Sequence, residues 1–416
     1  TSNWLNSAGT AVSSLKTPAL VSSTLTWERI ITTDVGVDLG FFNNSLNLTF
    51  DWFQRETKDM LAPGNALPQV LGAASPLMNK GTLRTRGWEL GISWNHSFGD
   101  WDVYANASIY DGVTKVVEYN NETKLLNEFY SGATYGDIWG FETERYFTEN
   151  DFTKDAEGKT IYAPGIADQS GLQSGSFKFG PGDIKYADLD NSGTIDGGKG
   201  TADDHGDLKV IGNATPRYEY SFRLGGAWKG FDLDLFFQGV GKRKFYMINN
   251  FVLMQAQGNG NPLYKHQIEQ GFNKYIYDPE TLKITGYDID QNNLYPAIYP
   301  GNFGYNSNFR QTLDQGINNW TTTDRYLTNM AYLRLKTATV GYTLPYEITK
   351  HALIQRARIY FSCENPFFIY NGAGKFSMDP ELSTSARGQA AAAGVGAMGR
   401  TNPMMRSYSF GLQVTF

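Results

Sequence analysis

The segment Asp188-Leu189-Asp190-Asn191-Ser192-Gly193-Thr194-Ile195-Asp196 places side-chain oxygens at positions 1, 3, 5 and 9 of a calcium loop, with glycine at position 6 for the sharp turn. Oxygen-only ligands at this spacing suit a hard divalent cation. Asp188, Asp190, Ser192 and Asp196 would ligate a Ca2+ ion through their side chains and Thr194 through its backbone carbonyl, while Ile195 anchors the loop. Position 12 departs from the pattern, because Lys199 cannot ligate; a bidentate carboxylate has to come from Asp203, Asp204 or Asp207. The competing reading is a solvated cluster of Asx turns without an ion. With an ion bound, its role is structural, pinning the long irregular segment before the strand at Tyr218.

A second group of candidates is aromatic. Tyr264, Tyr275, Tyr277, Tyr287, Tyr295, Tyr299, Tyr305 and Trp320 all fall in one irregular region, interspersed with asparagines. Aromatic faces beside amides can stack sugars or grip a partner protein, and Tyr264, Tyr287, Tyr299 and Trp320 are the candidates for substrate contact. The same residues could equally pack the loop that carries them. Catalysis finds no support: there is no Ser/His/Asp arrangement, nucleophile elbow or phosphate loop, and Gly394-Val395-Gly396-Ala397-Met398-Gly399 follows neither a strand nor a helix pattern. Cys363, the single cysteine, permits no internal disulfide, and the four histidines lack zinc-like spacing. A net charge of -6 and a pI near 5.4 argue against a nucleic-acid partner.

The elements that must position these residues are strands. At 41% hydrophobic content and a mean hydropathy of -0.40, the 416 residues contain no apolar run long enough for a membrane helix, while 14% aromatic content and 45 glycines suit strands and tight turns. In the closing stretch Ser407–Phe416, Tyr408, Phe410, Leu412, Val414 and Phe416 share one face and polar or small residues the other. Similar alternation predicts strands over 34–41, 46–52, 88–94, 101–109, 218–224, 231–237, 332–343 and 357–363. Their connections alternate between short and long, the long ones being 57–85, 115–216, 242–331 and 364–405.

Soluble domains rarely carry structureless loops of such length. A transmembrane barrel has this asymmetry by construction, with short periplasmic turns and long extracellular loops. The fold expected is therefore an all-β, antiparallel transmembrane β-barrel in the outer membrane. Trp52, Trp88, Trp94, Trp101, Trp228 and Tyr408 would form its interfacial girdles, and Glu89, Tyr104, Asn106 and Asp232 would face its wet interior. A soluble glycan-binding sandwich with these aromatics as core, and a passive porin or barrel-anchored adhesin, stay open as alternatives. In 332–343 the apolar phase moves from Leu333 and Leu335 to Val340 and Tyr342, which predicts a bulge near 337–339 or an inner face packed on something. Nine strands is an odd number, so further strands are expected before Thr1, where the chain opens without an initiator methionine or signal-like segment.

In their order along the chain, a series of motifs resembles the SusC/RagA-like TonB-dependent transporters. They are Leu25-Thr26-Trp27-Glu28, Arg55 to Leu61, Asn79-Lys80-Gly81, Gly136 to Gly140 with Tyr146-Phe147, Gly182 to Tyr186, Gly212 to Arg217, and Phe236 to Gly239. Asp324 to Leu327, Tyr332 to Lys336, Gly341 to Pro345, Asp379-Pro380-Glu381 and the final strand complete the series. Glu364-Asn365-Pro366 departs from the Gln-Asn-Leu usual there, with an effect expected to stay local to the strand exit. The resemblance implies the carboxy-terminal part of a 22-stranded barrel whose plug, TonB-contacting segment and earlier strands lie upstream. It further implies import of oligosaccharides or oligopeptides across a Bacteroides-type outer membrane, with a SusD-like surface lipoprotein as lid.

Overall fold

The computed structural model describes residues 2–5, 11–14, 20–65, 67–71, 75–173, 178–246, 264–281, 284–296, 321–376, 378–382 and 404–416. Nine long strands form one sheet: β1 (Arg29–Phe41), β2 (Leu46–Pro63), β3 (Leu77–Phe98), β4 (Trp101–Glu118), β5 (Arg217–Trp228), β6 (Phe231–Lys242), β7 (Tyr332–Thr343), β8 (Arg356–Asn371) and β9 (Ser407–Thr415). Each pairs antiparallel with its neighbours in sequence, so the sheet is a meander from β1 to β9. As part of a barrel it is an open arc, with β1 and β9 at its edges.

The register explains the alternation in the sequence. Leu39 lies opposite Leu48, Leu48 opposite Ile92 and Ile92 opposite Ala107; Ala107 then faces Phe222, and Phe222 faces Phe237. Phe237 meets Leu335, and further down the same face Val340 meets Phe361 and Phe361 meets Phe410. One apolar surface therefore crosses all nine strands without a break. It is bare: Phe410 is 84% exposed and Trp52, Trp94, Leu224 and Leu233 are exposed as well. The opposite surface is polar, carrying Asp51 beside Glu89, Asn106 beside Arg223 and Ser221 beside Gln238.

Aromatic residues bound the apolar surface. Toward the long loops Trp52 pairs across strands with Trp88. Toward the tight turns Trp101 stacks on Trp228 with ring centroids 5.2 Å apart, and Phe231 packs on Tyr342. From Trp88 to Phe98 the strand covers roughly 25 Å of height at the tilt of a barrel strand, the height of an apolar membrane band. Among the described residues no helix is long and apolar enough to cross a membrane, so any crossing is by strands.

The strands run further than their alternation does. β2 continues to Pro63 and β3 starts at Leu77, so the loop expected at 57–85 shrinks to 64–76; β4 extends to Glu118 and β8 to Asn371. Beyond the band both strand faces meet water or loop, and the period-2 contrast disappears while the hydrogen-bond ladder goes on. Near the start of the chain, where alternation predicts no strand, Ser2–Leu5 pairs with Ala11–Ser14. The expected bulge in β7 is real and sits at Lys336, one residue before the expected window: the pairing with both β6 and β8 skips it. By inserting one residue it keeps Leu333 and Leu335 on the same face as Ala338, Val340 and Tyr342. The departure at Asn365-Pro366 is another bulge, with Asn365 at φ 51°, and β8 runs on past it rather than exiting. Proline has no N–H for the ladder, so an unpaired position suits it.

Candidate functional site: the long-loop end and its carboxylate loop

The long connections are not structureless, contrary to the sequence reading. Short pairs such as Asp137–Phe141 with Leu208–Asn213, Thr143–Tyr146 with Ile184–Tyr186, and Lys244–Tyr246 with Leu327–Asn329 tie them together. A hydrophobic core fills the space between them: Phe141, Tyr146, Phe147, Ile184 and Tyr186 come from one loop, Tyr295 and Tyr326 from the next, and Phe376 and Met378 from the last. Three loops thus form one unit above the sheet. Arg325 lies over the Tyr146 ring at 4.2 Å and donates to the Asn293 carbonyl at 2.7 Å. Burial raises the Tyr146 hydroxyl well above its ordinary pKa, with the Arg325 cation working against that rise.

The motif residues separated in sequence meet here. Asp324 accepts from the Thr143 N–H at 2.9 Å, and the Asn213 amide donates to Asp137 at 2.8 Å. Asn79 bonds both the N–H and the carbonyl of Thr26 as well as the Asp59 carbonyl. On the polar face Arg334, 4% exposed, pairs with Asp379 at 2.9 Å and Glu381 at 3.2 Å, and Lys336 pairs with Glu381 at 2.7 Å. The bulged β7 segment therefore also packs on something, as the alternative reading of its phase shift had it.

The carboxylate loop belongs to the same unit. Asp188 accepts from the N–H groups of Ser192 at 3.1 Å and Gly193 at 2.9 Å, and Asp190 accepts from Ser192 at 2.9 Å. The Ser192 hydroxyl donates to the Thr194 carbonyl, and Ile195 is sunk in the hydrophobic core, as its anchoring role requires. Asn191 at φ 58° and Gly193 at φ 79° supply the left-handed turns. Of the three carboxylates weighed for the twelfth position, Asp203 pairs with Lys124 and Asp204 with Lys199. Asp207 is the one brought in: oxygens of Asp188, Asp190 and Asp207 lie within 4.8 Å of one another. Asp207 is fully buried and accepts from Leu189 N–H at 2.6 Å and Asp196 N–H at 3.0 Å; burial first, and the nearby Asp190 charge after it, push its pKa up. Among the described residues none of these three carboxylates has a Lys or Arg partner. An oxygen-only set that buries one carboxylate beside two others fits a divalent cation. Asp196 instead turns its side chain onto Gly198 N–H at 2.7 Å.

The aromatic candidates divide. Tyr287 meets Tyr275 edge-on at 5.5 Å on a hairpin of Lys274–Tyr277 with Ile284–Asp288, and Tyr264, 40% exposed, stacks on His266. Tyr295 is fully buried, so packing is its use. Tyr299, Tyr305, Trp320 and the Gly394–Gly399 stretch lie outside the described residues. Sequence reasoning missed the joint loop core; its signal was the apolar and aromatic content of the motifs themselves, in Tyr146-Phe147, Ile184 and Tyr186, and Tyr326-Leu327.

The family model "TonB dependent receptor-like, beta-barrel" matches residues 2–246. The chain belongs to that family. Its TonB-dependent receptor relatives include P3 of Formosa agariphila, 27% identical over 94% of this chain and 34% of the relative, and P39 of the same organism, 23% identical over 86% and 33%. The chain spans about a third of the length of these relatives. Among solved structures, that of the RagAB peptide transporter superposes with a TM-score of 0.59 at 19% identity, covering all of this chain and 38% of that one; the RagAB peptide importer in its open-open state gives 0.58 at 20%. The resemblance to SusC/RagA-like proteins read from the motifs is thus matched at the level of fold. TonB-dependent receptors are outer-membrane transporters rather than enzymes, so the nine strands are barrel wall and the apolar surface is the one that meets lipid.

Proposed function

We propose that this chain is the carboxy-terminal wall and outer-loop portion of a TonB-dependent importer that takes up oligosaccharides or oligopeptides together with a SusD-like surface lipoprotein. The observation that carries the reading is the unbroken apolar face of the nine-strand meander with a folded three-loop unit at one end only. In a barrel of this kind tight turns face the periplasm and long loops the outside, so the loop unit is where cargo arrives and a lid protein docks. The peptide named for the RagAB structures favours oligopeptides among the cargoes. A soluble sandwich would have to bury the apolar face, and a passive porin would need no TonB.

Within this reading the Asp188, Asp190, Ser192, Thr194, Asp207 loop holds a structural Ca2+, with Asp207 as the carboxylate that replaces position 12. The ion would neutralise the buried charge and lock the Asp188–Asp207 turn onto the loop core through Ile195.

One preparation tests both. The full-length protein, purified from native outer membranes in mild detergent, should co-purify with a lipoprotein, and uptake of labelled oligomers by cells should stop when TonB is deleted. Uptake that persists without TonB would remove the importer reading. Calcium removal by chelation should expose the 188–207 segment to protease, and Asp207→Asn should do so even with calcium present. A segment equally resistant in all states contains no structural ion.

A further inference from the structure

Just above the Trp52–Trp88 pair, the outward face of the wall changes character. Counting along the register toward the loops, the next row is Gln54, Arg86 and Val113, and the row after it Glu56, Arg84 and Lys115. These residues share the strand phase of Trp52 and Trp88, so they point away from the barrel interior. At the tilt of a barrel strand the two rows stand roughly 5 and 10 Å beyond the tryptophans, where lipid headgroups lie.

The rows form a cleft of about 330 Å3 lined by Arg84, Arg86, Lys115, Val113 and Val117. Its positive charge is only partly met. Arg84 pairs with Glu56, which Lys58 also approaches at 3.3 Å, but Arg86 donates to the neutral Gln54 amide at 2.7 Å. Lys115 has no carboxylate within ion-pair distance among the described residues, and Asp137, whose charge reaches it, is held by the Asn213 amide at 2.8 Å. The nearby Asp111 is engaged by Arg217, whose Nη2 donates to it at 2.6 Å. Val113, in the row of Arg86, floors the cleft on the membrane side, Val117 lines it on the loop side of Lys115, and the tryptophan row lies beneath. Cations over an apolar floor at the edge of a membrane band match a ligand with an anionic head and acyl chains, not a soluble polyanion.

We propose that Arg84, Arg86 and Lys115 bind the phosphate-bearing headgroup of an outer-leaflet lipid, its acyl chain descending past Val113 and Trp88. At these rows β2 is paired with β1, and the outer side of β4 is covered by the segment Ala133 to Tyr135, which bonds Thr114 and Val116, so the site is complete in this chain. It rests on the orientation given above, in which the long-loop end faces outside.

The test uses the full-length protein in detergent, delipidated and then titrated with phosphatidylglycerol or with phosphatidylcholine of equal chain length, bound lipid being counted by native mass spectrometry. Phosphatidylglycerol should bind and phosphatidylcholine should not, and Arg84→Gln/Arg86→Gln/Lys115→Gln should weaken the former by at least about tenfold. Glu56→Gln, which removes a competing carboxylate, should strengthen it. Equal binding of both lipids, an unaffected triple variant, or displacement of the lipid by excess inorganic phosphate would overturn the proposal, the last assigning the site to free phosphate. Heat-modifiable gel mobility reports assembly; if the triple variant does not assemble, Arg86→Gln and Lys115→Gln are read singly. Labelling of Lys154 on intact cells checks orientation separately, and a Lys154 reachable only after permeabilisation would move the site to the inner leaflet without touching the lipid result.

Discussion

Asp151 shows how a single loop carboxylate is held. Burial opposes its charge, but Arg145 donates two hydrogen bonds of 2.6 Å and Thr148 donates its N–H at 2.7 Å and its hydroxyl at 3.0 Å, and together these bring the pKa down to about 2. A depressed carboxylate contributes stability that is present above its unfolded pKa, near 4, and lost as pH falls toward 2. Arg145 is partly exposed, so the contribution is about 2 kcal/mol rather than that of a fully buried pair. Asp151→Asn should therefore speed hydrogen exchange of the amides around Phe147 and Tyr162 at neutral pH and leave little further loss between pH 4 and 2. An unchanged acid profile in the variant would show that another group governs it. Such partners were not legible in the sequence: the calcium-like spacing was, yet neither the choice of Asp207 over Asp203 and Asp204 nor the Arg145–Asp151 pair follows from local order, because both depend on how distant segments pack.

At the scale of elements, all nine strands and their order could be read from alternation, because one face meets lipid and the other water. Their upper ends could not. Above the band the contrast that produces alternation vanishes, which is why β2, β3 and β8 each outrun the expected boundary. The phase shift in β7 was legible as well, and its bulge has a measurable consequence. Inserting an alanine between Arg334 and Leu335 would slip the segment from Tyr332 to Arg334 by one residue, turning Leu333 inward and aiming Arg334 at lipid, whereas deleting Lys336 only closes the bulge and leaves Leu335 opposite Phe237. A cation facing lipid costs roughly 2–4 kcal/mol at mid-bilayer and less near the interface, and the Asp379 and Glu381 pairs are lost besides. The insertion should abolish the heat-modifiable folded band, whereas deletion of Lys336, which keeps the register, should retain it. A folded insertion variant would show that the register can be re-formed elsewhere.

The molecule as a whole joins two kinds of order. In the wall each strand pairs with its neighbour in sequence, so the sheet can grow by successive hairpins, every step closing a loop before the next begins. The loop core works otherwise: Phe141, Tyr186, Tyr326 and Phe376 meet only after segments more than two hundred residues apart have been brought together. Closing such distances unaided is entropically unfavourable and slow. A finished wall removes most of that penalty by holding the loop bases beside one another. The loop unit is thus the late-forming part of the chain, and pulse-labelled exchange during assembly should protect the amides of β5 and β6 before those of Tyr186 and Tyr326; simultaneous protection would contradict this order. The same dependence makes the outer surface a report on the wall, since a barrel with a misplaced strand cannot present a finished surface to whatever docks there.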